Sequence, residues 1–429
     1  MTFTGGALNV TFPATTTLNT KLPALNYDAF GRLRVSEPFT LFDSNYRFND
    51  NGLWATSITG GATYNFNTSQ GLMELQVSGT TGSEVIRETY RVFSYQPGKS
   101  LLPFSSFVGT LSHRIRQRIG YFGAQNGIYF QINGIQSCSF VKRTYITGAT
   151  VDNEIFQTYW NGDKLNGTGA SGYTLDLTKP QLLWMDFEWL GVGTVRCGFV
   201  INEQFILCHS FNWANDPSST ASTYMTTASL PMRYEIKNLG GSTGGSFTLK
   251  QICSTVISEG GYELSGTQLS IATPLNLPTV MGGTGNPSIP TPVITFRLKS
   301  TNLDAVVIMT AMNIVPAGTA STTYFWQIIR GGNTSTTSWS TLSAASSVEY
   351  KVFSAPGTIT GGIVMASGFF ASTTQSKGGI ELLKDALFRF QLLRDGLTGT
   401  PIEFTIVCQS AVHNNASVFA SIDWEEVSR

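Results

Sequence analysis

Apolar and polar residues alternate at every second position through much of this chain, in short runs separated by Gly, Asn and Asp. A period of two puts successive side chains on opposite faces of a pleated strand, so each run predicts a half-buried β-strand. In the first part of the chain the runs fall at 32–35, 39–43, 72–77, 85–93, 114–122, 128–132, 137–145, 182–190, 194–201, 204–211, 231–238 and 246–258. Asn51-Gly52, Asn126-Gly127 and Asn133-Gly134 are tight-turn pairs, because Asn and Gly tolerate left-handed backbone. Strands of this length and spacing predict an antiparallel sandwich. The segment 160–201 shows the pattern most clearly: a Gly/Asn/Asp-rich loop feeds two alternating strands across the turn Gly191-Val192-Gly193.

The texture changes between 260 and 292, where 272–293 carries five prolines and a Gly-Gly. Pro removes ladder donors and Gly adds chain entropy, so 259–290 is read as a linker. Beyond it, runs at 294–298, 305–313, 324–330, 348–353, 388–394, 402–410 and 418–425 predict a second set of strands. The one helical candidate is 379–386. Residues 1–25 are Thr-rich, hold Pro13 and Pro23 and show no lasting period. The expected architecture is therefore all-β: an extended N-terminal arm (1–25), a first antiparallel β-sandwich (26–258), the linker, and a smaller second β-sandwich (291–429). No period of 20 to 50 residues repeats and no heptads occur, which disfavours propellers, solenoids and coiled-coil stalks.

Composition narrows the function classes. The 429 residues carry 27 Lys+Arg against 27 Asp+Glu, a net charge of zero, and only 13% are charged. A strong phosphate-binding field is not expected, so nucleic acid is not a predicted partner. The start of the chain lacks a basic stretch followed by an apolar core, and no run of about 18 apolar residues occurs, so neither a signal peptide nor a membrane span is expected. Cys138, Cys197, Cys208, Cys253 and Cys408 form no CxxC pair and no zinc spacing; they are read as buried, reduced thiols.

Four features carry candidate chemistry. Asp186 and Glu188 stand two apart on one predicted strand, and paired carboxylates can work on a glycosidic bond. The third carboxylate of the laminarinase-type Glu-x-Asp-x-x-Glu strand is missing, and alternation alone produces such pairs. Arg114, Arg116 and Arg118 fall on one face of their strand at roughly 6 to 7 Å spacing, a compact cationic row. Such a row suits phosphate, a sugar acid or a neighbouring subunit's carboxylates, or an internal ladder with Glu84 and Glu88. His113, His209 and His413 have no ligand at metal spacing, and adjacent Cys208 and His209 point to opposite faces. The aromatics Trp54, Tyr64, Trp160, Trp213, Tyr224, Trp326 and Trp339 are expected to be exposed, for subunit contact or for stacking on sugar rings, with Trp160, Trp213 and Tyr224 the candidate glycan contacts.

The run Asp28-Ala29-Phe30-Gly31-Arg32-Leu33-Arg34-Val35-Ser36-Glu37-Pro38-Phe39-Thr40-Leu41-Phe42-Asp43 resembles the opening of a group of virion structural proteins of tailed phages, cyanophages among them, with relatives in large DNA viruses. Arg118-Ile119-Gly120-Tyr121-Phe122, the loop beginning at Trp160, the hairpin 187–201 and the stretch 224–236 extend the likeness over about 28–236, and 419–426 is a weaker echo. The resemblance implies a lectin-like jelly roll carried by an N-terminal anchoring arm, with no catalytic residues to transfer.

These readings converge on a non-enzymatic virion structural protein: capsid decoration, fibre, or a neck- or tail-associated part, assembled in the host cytoplasm. Phe30, Arg32, Arg34, Arg114, Arg116 and Arg118 are the interface candidates. The expected partners are other virion proteins and further copies of the chain, with a trimer as first expectation. No cofactor or metal is predicted. The alternative is a carbohydrate-binding, receptor-recognising fibre or adhesin that contacts a host surface glycan.

Overall fold

The alternation becomes strand structure in the computed structural model, which describes residues 2–4, 7–11, 17–21, 37–135, 137–240, 245–318, 321–335, 338–372, 379–382, 390–412 and 416–428. Ile115–Phe122 shows how. Ile115, Gln117, Ile119 and Tyr121 are buried on one face, while Arg116 and Arg118 lie half-buried on the other. Every strand pair recorded is antiparallel, and the protein is an all-β molecule of packed antiparallel sheets.

In the first half a seven-stranded sheet runs in the order Val151–Phe156, Ser137–Thr144, Gly127–Asn133, Ile115–Phe122, Met232–Asn238, Glu84–Thr89, Trp54–Thr59. An eight-stranded sheet faces it: Gln204–Phe211, Val195–Ile201, Pro180–Phe187, Leu101–Val108, Phe247–Ser258, Leu72–Val77 and Thr63–Asn67, with Phe39–Ser44 also paired to Phe247–Ser258. Their inner faces meet in one core, where Phe107, Phe130, Phe140, Phe187 and Phe199 are fully buried. Aromatic rings in edge-to-face contact, such as Phe130 on Phe199 at 5.1 Å, add to the area term.

The second half packs a five-stranded sheet, including Thr267–Ala272, Ser417–Ser428 and Val306–Pro316, on a six-stranded one. The six run Ser340–Thr341, Val348–Val352, Thr291–Leu298, Phe404–Ser410, Thr323–Arg330, Ile363–Ala371. Trp424, Tyr324 and Phe296 lie at the heart of this second core. The two cores touch: Val306 and Ile308 bury their side chains with the first, and Gln391 Nε2 donates to the Val92 carbonyl at 2.8 Å.

Three expectations need correction. The 259–290 segment is no free linker: Thr267–Ala272 and Thr279–Val280 both pair with the C-terminal strand Ser417–Ser428, the prolines falling between strands rather than inside them. Residues 1–25 contain a three-stranded antiparallel sheet, Thr2–Thr4, Ala7–Thr11 and Thr17–Lys21, because Thr-rich sequence favours pleated backbone as readily as open coil. The helical candidate at 379–386 begins as a strand, Gly379–Leu382, paired with Val306–Pro316, and its remainder lies outside the described residues.

Candidate functional site

The cationic row is shorter than its spacing implies. Arg114 has φ 57° and sits in the turn before the strand, so its exposed side chain leaves the row. Arg118 pairs with Glu235 at 3.6 Å and Asp152 at 3.5 Å, and lies over the Tyr129 ring at 5.0 Å. Glu84 and Glu88 are not its partners, because Met232–Asn238 is inserted between their strand and Ile115–Phe122. Glu84 takes Lys237 at 3.2 Å instead, and Glu88 takes Arg233 at 2.7 Å. Arg116 loses some of its basicity to burial first and to neighbouring Arg118 second.

These pairs form one ladder across the outside of the seven-stranded sheet. Asp152 accepts from Arg143 at 2.8 Å; Arg118 joins Asp152 to Glu235; Glu235 accepts from Arg233 at 2.7 Å. Glu88 then joins Arg233 to Arg394 of the second half, and Arg394 reaches Asp304 at 3.3 Å. Burial pushes the Glu235 carboxyl up, but Arg233, then Arg118, Arg116 and Arg143, outweigh it and hold it below the usual carboxylate range. Asp152 is depressed in the same way, with Arg143 overcoming its burial. A ladder so well matched internally has little charge left for an outside anion. Phe30, Arg32 and Arg34 fall outside the described residues.

The glycan-contact aromatics are structural. Trp160 is 2% exposed, packs on Phe140 at 4.8 Å and donates Nε1 to the Ile155 carbonyl at 3.2 Å. Its loop caps the edge of Gln204–Phe211. Gly162 and Asp163 amides donate to the Cys208 and Leu207 carbonyls, both at 2.9 Å, and the Asn161 amide donates to His209 Nδ1 at 3.3 Å. Tyr224 is buried, and Trp213, half-buried, donates Nε1 to the Ser222 carbonyl at 2.7 Å with the Lys142 ammonium 4.4 Å above its ring. Trp54 and Trp326 are buried as well; Trp339 lies between Arg297 and Lys351, and Tyr64 is exposed.

The acid pair is split. Asp186 is buried and paired with Arg196 on the next strand; burial raises its pKa, with Arg196 opposing. Glu188 is exposed beyond the strand end. All five cysteines are free, and four are buried as expected; Cys253 is instead exposed, on the outer face of Phe247–Ser258. Burial drives the Cys138 thiol up to about 12, away from nucleophilic use. Burial also pulls His209 down to about 4, so it is neutral near pH 7 and accepts the Asn161 amide. His413 lies outside the described residues. Among the described residues no group of three or more His, Cys, Asp or Glu is placed to hold a metal ion.

What sequence reading missed is an apolar patch on the outside of the eight-stranded sheet. Phe205 is 58% exposed, Leu182 and Leu207 are exposed beside it, and Phe205 packs on Phe104 at 5.9 Å and Trp184 at 5.6 Å. The Trp184 indole lies over Gly198, where a Cβ would come within 2.9 Å of the ring. A depression of about 320 Å³, lined by Phe104, Ser106, Leu182, Cys253 and Thr255, adjoins the patch. The signal was present: Gln204–Phe211 carries Phe205 and Leu207 on the face opposite its core residues Ile206 and Cys208.

Fold and surface together define an antiparallel β-sandwich protein with internally neutralised charge and an apolar outer face. No family model matches the chain, and no curated protein matches it. Solved structures match at the level of fold. They include an endo-β-1,4-glucuronan lyase of the fungus Trichoderma reesei, at 10% identity over 51% of this chain and 95% of that one, TM-score 0.34. A Bacillus licheniformis β-glucanase matches at 11% identity, 50% and 96% coverage, TM-score 0.32, and peanut lectin at 12%, 52% and 98%, TM-score 0.30.

Proposed function

We propose that this chain is a non-enzymatic structural component of a virus particle, a surface or assembly subunit that contacts other virion proteins and is anchored by its N-terminal residues. The resemblance of 28–43 to virion proteins supports the setting. The observation that carries the mode of action is the patch of exposed Leu182, Phe205 and Leu207, backed by half-buried Phe104 and buried Trp184: contiguous exposed apolar surface suits burial against a protein neighbour. Meanwhile Asp186, Arg118 and His209, which offered catalysis or ligand binding, are engaged by neighbouring strands and loops. The carbohydrate-binding alternative is the weaker reading, because two of its three aromatics are buried.

Infection with a genome encoding the chain without residues 1–25 tests the proposal. The truncated chain should stay folded and soluble in the lysate but fail to sediment with purified particles, whereas full-length chain sediments with them. Full-length chain that never sediments with particles would refute the proposal. A glycan array probed with the purified protein should be flat.

A further inference from the structure

A free sheet edge recruits whatever can pair with its backbone, and folded proteins blunt such edges with charge, short length or a covering loop. Several other edges of this molecule follow that rule, and the uncharged edges Trp54–Thr59 and Thr267–Ala272 are six residues long. Val151–Phe156 carries Asp152 and Glu154, Gln204–Phe211 is capped by the Gly162 and Asp163 amides, and Thr63–Asn67 is short and polar. At the far side of the six-stranded sheet, Ser340–Thr341 is two residues long.

Ile363–Ala371 is different. It is nine residues long, reads IVMASGFFA, and has neither charge nor proline. Thr323–Arg330 pairs with one side of it; among the described residues no strand pairs with the other. Ile363 and Val364 are exposed, and Phe369 is 73% exposed, its ring tilted against Phe325 at 4.8 Å. The strand is held firmly from behind: the Trp326 indole fills the space over Gly368, where a Cβ would come within 2.7 Å of the ring.

We propose that this edge is a self-association surface, on which a second copy of the chain adds its own Ile363–Ala371 in antiparallel register, joining two six-stranded sheets into one of twelve strands. The occupant follows from self-complementarity. A two-fold axis at Ser367 sets Ala366 opposite Gly368 and Met365 opposite Phe369, and beyond the bulge that Met365 makes against Ile328 and Ile329, Val364 falls toward Phe370. Large apolar side chains then meet large ones, the small pair lies at the centre, and no charge opposes a like charge. The resulting symmetry is two-fold and isologous, not the threefold first expected. The inference is independent of the virion reading and holds for the purified protein alone.

The experiment uses the full chain in solution. Sedimentation equilibrium should give twice the chain mass, and Val364→Lys with Phe369→Lys should raise the dimer dissociation constant at least a hundredfold, with an unchanged circular dichroism spectrum. Should the lysine variant fold poorly, cross-linking keeps the proposal testable. Ser367 would face its own copy across the axis, and opposite Cα atoms in an antiparallel pair lie about 4.5 to 5.5 Å apart, within disulfide reach. In a Cys253→Ser background, Ser367→Cys should oxidise to a covalent dimer, whereas a cysteine placed at exposed Ser338 should not. A monomer at every concentration, a trimer, or a dimer indifferent to the lysines and not cross-linked through position 367 would overturn the proposal.

Discussion

Glu235 and His209 show what single residues do here. Glu235 is buried among arginines, so truncation would leave Arg233 with Glu88 alone and Arg118 with Asp152 alone; Glu235→Ala should cost about 2 to 3 kcal/mol in chemical denaturation, and Glu235→Gln less. Because its folded pKa is depressed, its contribution is present above the ordinary carboxylate range and disappears as pH falls through the folded value. His209 acts in the same direction at higher pH. Its folded pKa of about 4 lies below the unfolded 6.5, so the unfolded chain binds more protons between them and stability falls as pH drops through that window. A His209→Gln variant should show a flatter dependence of melting temperature between pH 6.5 and 4 than the parent. At this scale the sequence was a partial guide. Alternation identified Arg116 and Arg118 as neighbours on one face, but Glu235, the cross-strand partner of Arg118, comes from a strand remote in sequence, and strand order is a tertiary property.

Elements were more legible. Gln204–Phe211 matches its alternation at both ends, and Ile115–Phe122 and Phe247–Ser258 match to within one residue. Two of the missed strands, Trp54–Thr59 and Val151–Phe156, are sheet edges with polar residues on both faces, so no clean period of two survives; a third, Leu101–Val108, is central, and its Pro103 and two serines break the apolar signal. Aromatic exposure misled for a related reason, since Trp160 follows a 3-10 turn whose shape carries its ring into the core. Two substitutions test the elements. At Gly193 a Cβ would lie 1.8 Å from the Glu188 carbonyl oxygen, so Gly193→Ala should lower stability by about 2 kcal/mol in thermal unfolding. Gln251, beside the irregularity in Phe247–Ser258, is buried with both amide atoms unpaired; Gln251→Leu should leave stability unchanged or raise it by about 1 kcal/mol.

On the scale of the whole molecule, the ladder from Asp152 to Asp304 and the Gln391 bond to Val92 tie the two halves together across a buried polar seam. Glu88→Gln weakens the link between Arg233 and Arg394, and should lower the unfolding midpoint of both halves together, as followed by tryptophan fluorescence and circular dichroism. With only 13% of residues charged, and the ladder matched internally, apolar and short polar side chains define much of the outer surface, an economy suited to extended protein contact. The central claim is that these surfaces serve a particle. Quantitative mass spectrometry of gradient-purified virions, made from the genome that encodes the chain, tests it most directly. The account predicts the chain at a fixed copy number relative to the major capsid protein in every preparation; abundance in the lysate with loss from the particles on purification would contradict it.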